Sequence, residues 1–172
     1  MPASRAARRR EHGQAIVVMV GAMIVALMLS ALVVDGGFAW AQERITQNAS
    51  DAASEAGAVV LAEKMTLDSY NLNPTHTPRA PAATTACPDV SNTDAYWDCR
   101  VHAAVLASAA GNGITVQRAL YTNICGSILP GNGTAGQAEV GQGMPTPPGP
   151  PQDCTSSTRG VGPAAGVRAY GA

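Results

Sequence analysis

The side chains able to do chemistry are few and poorly arranged for it. Three histidines are present. His12 sits in a basic leader, His76 in a proline-rich stretch, and His102 three positions after Cys99, beside Asp98. Positions i and i+3 share a helix face, so Cys99 and His102 could supply half of a metal site. No second Cys/His pair completes it. No serine stands in a G-x-S-x-G elbow, and no phosphate-binding glycine loop follows a strand. The glycines at 131, 133, 136, 141 and 143 read as loop glycines. The expectation is a protein that is not an enzyme, with no catalytic residue, cofactor, metal ion or small-molecule substrate.

Cysteine chemistry is the exception. Cys87, Cys99, Cys125 and Cys154 are four, and none forms a C-x-x-C pair, so zinc-ribbon spacing is absent. Four cysteines allow three pairings, and the sequence does not choose between them. Nearest-neighbour closure, Cys87–Cys99 and Cys125–Cys154, is the expected arrangement, because each bridge would staple a loop in a region with little core. Each would contribute about 3 kcal/mol in the chain-entropy account.

The elements that must carry these residues are set by a lopsided composition. Of 172 residues, 18 are Gly and 32 are Ala, aromatic residues make up 4% and charged residues 13%. Residues 71–172 hold only 15 Ile, Leu, Val, Met or Phe, enough for a thin core. The net charge of −1 argues against a nucleic-acid binder, which would show a basic face. Residues 15–34, AIVVMVGAMIVALMLSALVV, contain no charge. At about 1.5 Å per residue they form a helix of about 30 Å, the thickness of a bilayer's hydrocarbon core. Ser30 can bond back to a carbonyl one turn earlier.

Charge gives the direction. Arg5, Arg8, Arg9 and Arg10 precede the apolar segment, with Glu11 the only acid; seven Lys or Arg and eleven Asp or Glu follow it. The positive side belongs in the cytoplasm, which places the N-terminus inside and residues 35–172 outside. A cleaved signal peptide is the rival, since Ala39-Trp40-Ala41 has the small-x-small form. The apolar run exceeds the roughly 7–15 residues of a signal core, which favours an uncleaved anchor. Asp35, at the outer edge, could meet a partner's cation or cap the helix that follows.

The chain then divides into a leader (1–14), a transmembrane helix (15–34), an extracytoplasmic extension (35–70) and a Gly/Pro-rich region (71–172). Asp35-Gly36-Gly37 interrupts the apolar run, but helical periodicity resumes, and the helix is expected to extend to about Leu67 as one long rod from membrane to outside. Ile45, Ala49, Ala52, Ala56 and Val59 share one face; Glu43, Gln47, Asp51 and Ser54 share another. That alanine stripe suits either close packing on a partner helix or ordinary packing on its own domain. A second helix is expected from Ala95 to about Ala110, capped by Thr93 or Asp94, with Tyr96, Trp97, Val101, Val105 and Leu106 on its apolar side. Strands are expected from Ile114 to about Tyr121 and over Val167–Tyr170. Residues 130–166 read as an extended or mobile loop. The fold class is α+β.

From Arg8 to about Ala62 the chain resembles the N-terminal signature of TadE/TadG-like proteins of the tight-adherence (Tad, or Flp) pilus apparatus. The matching residues are Arg8-Arg9-Arg10, Gly13-Gln14, the apolar run, Val34-Asp35-Gly36-Gly37, Gln47-Asn48-Ala49-Ser50-Asp51-Ala52-Ala53 and Gly57-Ala58. The resemblance implies a single-pass protein with its larger part outside, a minor pilin-like subunit or assembly factor. Its implied partners are the bilayer and other pilus subunits or platform membrane proteins. Two departures qualify it. Pilin-like members cut by prepilin peptidase carry Glu five residues after the cleavage glycine, where this chain has Val18. The large metal-binding domain of longer relatives is missing. An anchored binding or adhesin-like protein with no pilus role is the alternative.

Overall fold

The computed structural model describes residues 4–88, 93–131, 136–145 and 164–172, with side chains from residue 14 onward. No proline stands between Pro2 and Pro74, so nothing removes a helical hydrogen bond across that span. Helix α1 occupies it, Ser4–Leu72. The continuous rod expected from the apolar segment to about Leu67 is present, and it runs through Asp35-Gly36-Gly37 to Leu72. Two glycines cost about 1 kcal/mol each relative to alanine, and an already nucleated helix flanked by Ala, Leu and Met absorbs that. Asp35 therefore caps nothing, because no helix begins there.

The chain separates into two units, Met1–Arg44 and Ile45–Ala172. The first unit is helical wherever it is described. In the second, the remainder of α1 packs with helix α2 (Asp94–Gly111) and strands β1 (Val116–Thr122) and β2 (Gly166–Gly171). The architecture is α+β, with two helices and a two-stranded sheet among the described residues.

Thr93 caps α2: its hydroxyl accepts the Tyr96 N–H at 3.3 Å. Tyr96, Trp97, Val101, Val105 and Ala109 are buried along the helix, whereas Leu106, expected on the same face, is 43% exposed. β1 and β2 pair antiparallel, Ala119 opposite Ala169 and Tyr121 opposite Val167, with an irregularity between Val116 and Arg118.

The expected loop at 130–166 is in part ordered core. Residues 137–140 run along the other edge of β1: Tyr121 N–H donates to Ala138 O at 2.9 Å, and Val140 N–H to Ala119 O at 3.0 Å. Ala138, Val140 and Met144 are buried there. Glycine and proline content marked this stretch as loop, but backbone hydrogen bonding to β1 needs no large apolar side chain. Residues 132–135 and 146–163 of the expected loop lie outside the described residues.

The Cys87–Cys99 disulfide is present, with an S–S distance of 2.05 Å. Cys125 is disulfide-bonded too. Cys154, its expected partner, lies outside the described residues.

Candidate membrane and partner surfaces

In the first unit, the apolar side chains of residues 16–34 are all exposed, from Ile24 at 49% to Val33 at 73%. The helix that contains them is long and apolar enough to cross a membrane. Ser30 donates to Ala26 O at 2.8 Å, so its hydroxyl is satisfied one turn back within the helix. Asp35, Gly36 and Gly37 are exposed as well. Six residues beyond Val34, Trp40 stands with the Arg44 guanidinium 4.4 Å from its ring centre, one turn along the helix.

In the second unit, α1 buries a face different from the predicted stripe. Ala49, Ala53, Gly57, Val60 and Leu61 are buried. Of the predicted stripe, Ala49 alone is buried. Ala52 and Ala56 are half-buried, and Ile45 and Val59 remain 52% and 61% exposed. Gln47 and Asp51 face solvent, as their polarity predicted, but Ser54 does not.

The reason lies in what packs there. Ser54 Oγ accepts the Ala169 N–H at 2.9 Å, and Ser50 Oγ accepts the Gly171 N–H at 3.2 Å. Alternate N–H groups of β2 point toward β1, so those of residues 169 and 171 lie on the strand's outer edge. Four helical residues rise about 6 Å. Two strand residues span about 6.6 Å. Two serines spaced i and i+4 therefore match two outward N–H groups spaced i and i+2. Unpaired strand edges are liabilities that proteins cover, and here two hydroxyls cover one.

Gly57 completes this seat. A methyl group at Gly57 would lie 2.8 Å from Val167 Cγ2 and 3.0 Å from Val105 Cγ2. Small residues at 49, 50, 53, 54 and 57 let the helix come this close to β2 and α2. The Gln47–Ala53 run quoted in the family resemblance thus holds two small buried residues, Ala49 and Ala53, with the edge-covering Ser50 between them.

A second group of residues fastens the ordered part of the long loop. Asp98 is buried on α2 and accepts three hydrogen bonds: from the Tyr121 hydroxyl (2.5 Å) and Gly141 N–H (2.9 Å) at Oδ1, and from Gly143 N–H (2.8 Å) at Oδ2. Burial, and then the carboxylate it donates to, push the Tyr121 phenol far above its usual range. Gly141 and Gly143 have φ of +88° and +103°, which an L side chain adopts only with strain. A methyl at Gly141 would also stand 3.3 Å from the His102 ring. His102 itself is exposed, and the Cys99 sulfur that could have joined it is held by Cys87. Among the described residues no group of three His, Cys, Asp or Glu side chains could hold a metal ion.

No protein-family model, curated protein or solved structure matches this chain. In the sequence, Asp98 stands out only as a neighbour of His102. Its three partners are 23, 43 and 45 positions away, beyond any local pattern. The Ser50/Ser54 pair did carry a local signal, two hydroxyls one turn apart beside an alanine stripe.

Proposed function

We propose that the chain is a single-pass, membrane-anchored structural component, minor pilin-like or assembly-promoting, of a Tad/Flp-type pilus apparatus. One observation carries the anchor: large apolar side chains of residues 16–34 are exposed on every side of the helix, next to a chain segment that folds around its own core. Burying a Val, Leu, Ile or Met side chain is worth about 1.5–3 kcal/mol, so a row of them stays out of water. The four N-terminal arginines orient the helix with its start in the cytoplasm. The disulfide between Cys87 and Cys99 suits an oxidising compartment for the second unit.

The pilus assignment rests on the TadE/TadG-like signature and on the helix surface left over by the fold. Ala49, Ala53 and Gly57 serve the chain's own core. Ile45, Ala52, Ala56 and Val59 are the part of the original stripe that remains accessible, and they form the face offered to neighbouring subunits. The role is structural rather than catalytic.

Ala52→Leu with Ala56→Leu adds bulk on that face and is expected to impair pilus assembly while membrane insertion and protein level persist. Gln47→Leu with Asp51→Leu adds comparable bulk on the solvent side and should do much less. Ser54 is unsuitable as a control because it bonds β2. Equal effects of the two pairs would remove the partner-face role. Normal piliation after deletion of the gene would leave an anchored binding protein without a pilus function.

A further inference from the structure

A pocket of about 350 Å³ lies between α1 and the segment after it. Leu67, Tyr70, Pro81 and Ala82 supply apolar walls, and Arg79 and Glu63 supply charge. The volume lies in the range of small-ligand sites, about 300–1,000 Å³.

Its outer wall is held in place at both ends. Asn71 clasps the backbone of Arg79 through two bonds: Nδ2 donates to Arg79 O at 2.9 Å, and Oδ1 accepts Arg79 N–H at 2.7 Å. Further along, the Tyr96 hydroxyl donates to Ala82 O at 2.7 Å. Arg100 donates to that same hydroxyl at 2.9 Å and to Glu63 at 2.8 Å. The Cys87–Cys99 bridge ties the segment to α2 just beyond.

The two charges differ in status. Glu63 is neutralised by Arg100. The Arg79 guanidinium lies 4.5 Å from the centre of the Tyr70 ring, on which His76 also stacks at 4.3 Å, and no described carboxylate pairs with it. A guanidinium presents five N–H donors in a fork that matches a carboxylate in two-point geometry. The pocket therefore combines an apolar body, a compensated acid and a cation with no carboxylate partner among the described residues.

We infer that this pocket binds a carboxylate attached to an apolar group about one residue in size, with Arg79 receiving the carboxylate and Leu67, Tyr70 and Pro81 the apolar part. A free apolar acid and the C-terminal residue of a polypeptide share that chemistry. Neither the anchor nor the pilus role is needed for this reading.

The test uses the full chain in nanodiscs and calorimetric titration. The probes are N-acetylleucine and a six-residue peptide ending in leucine, each beside its carboxamide. At least one acid is expected to bind about tenfold or more tightly than its amide, the worth of a charge-assisted hydrogen bond. Arg79→Gln should abolish that difference, since the Asn71 clasp uses only the Arg79 backbone and survives. Arg168→Gln, on β2, should leave it intact. Binding of both acids indicates recognition of the shared end group, and binding of only one assigns the source. Equal affinity of acid and amide, absence of binding by both acids, or an unchanged preference in Arg79→Gln would overturn the inference.

Discussion

The two stretches of helix α1 have opposite compositions and opposite burial. Residues 15–34 carry Val, Leu, Ile and Met in every direction and bury none of them. Residues 49–61 bury Ala49, Ala53 and Gly57, with half-buried Ser50 and Ser54 beside them and Val60 and Leu61 at the far end. Burial in this molecule therefore does not follow side-chain hydrophobicity along the helix. Bulky exposed residues fit a solvent of lipid, where dispersion contacts are made with acyl chains. Small buried residues fit a neighbouring backbone, where the gain comes from close approach and from hydroxyls that complete a strand edge. The same helical geometry serves both because only its side chains differ.

Paired substitutions across the two stretches and their surroundings sharpen the contrast. The largest difference is expected between two aspartates. Asp98→Ala leaves the Tyr121 hydroxyl and two glycine N–H groups without their acceptor and should destabilise the second unit by about 4 kcal/mol. Asp35→Ala, on an exposed turn, should change its stability by less than about 0.5 kcal/mol. Chemical denaturation in detergent, followed by Trp97 fluorescence, measures both.

The Asp98 cluster also sets a pH dependence. The Tyr121 phenol titrates higher in the folded chain than unfolded, so folding favours the protonated form. That contribution is complete below the unfolded value of about 10 and is lost as pH rises above it. Ultraviolet titration should show one of the four tyrosines ionising only with unfolding, and Tyr121→Phe should remove that step. A Tyr121 that titrates near 10 in the folded chain would show that the phenol is not held as described.

Two glycines come next. Gly57→Val overpacks against Val167 and Val105 and should cost about 2–3 kcal/mol. Gly36 has nothing within 4 Å of an added methyl, so Gly36→Ala should be neutral or slightly stabilising. Similar melting shifts for both would erase the distinction between the stretches. The smallest effect belongs to two serines. Ser54→Ala uncovers the Ala169 N–H and should cost about 1 kcal/mol, whereas Ser30→Ala, bonded only within its own helix, should cost almost nothing. Hydrogen exchange at Ala169 is the direct readout, and an unchanged rate in Ser54→Ala would dismiss the edge-covering role.

Several features were legible because they are local. The Thr93 cap and the extent of α2 follow from a hydroxyl before a helical pattern. Both strands lie within two residues of the short apolar runs beside glycine that mark them, and the Cys87–Cys99 bridge is the nearest-neighbour pairing among the three that the sequence leaves open. The buried face of α1 departs from its apolar periodicity for a definite reason. Apolar periodicity gives weight to Ile45 and Val59, while contact with a strand selects the smallest side chains and hydroxyls, which score as neutral or polar. The order in residues 136–145 escaped notice because it depends on backbone bonding to β1 and on Asp98, both distant in sequence. Gly141 and Gly143 looked like loop glycines and are instead the donors that a buried carboxylate requires.

We propose that residues 15–34 lie in lipid with the start of the helix inside and the second unit outside. Thiol labelling of intact cells tests it directly, since no described cysteine is free to contribute background. Gln47→Cys and Ala6→Cys place single thiols on either side of the apolar segment. With a membrane-impermeant maleimide, Gln47→Cys should label in intact cells and Ala6→Cys only after permeabilisation. Labelling of Ala6→Cys in intact cells, or protection of Gln47→Cys until the membrane is opened, would contradict the account.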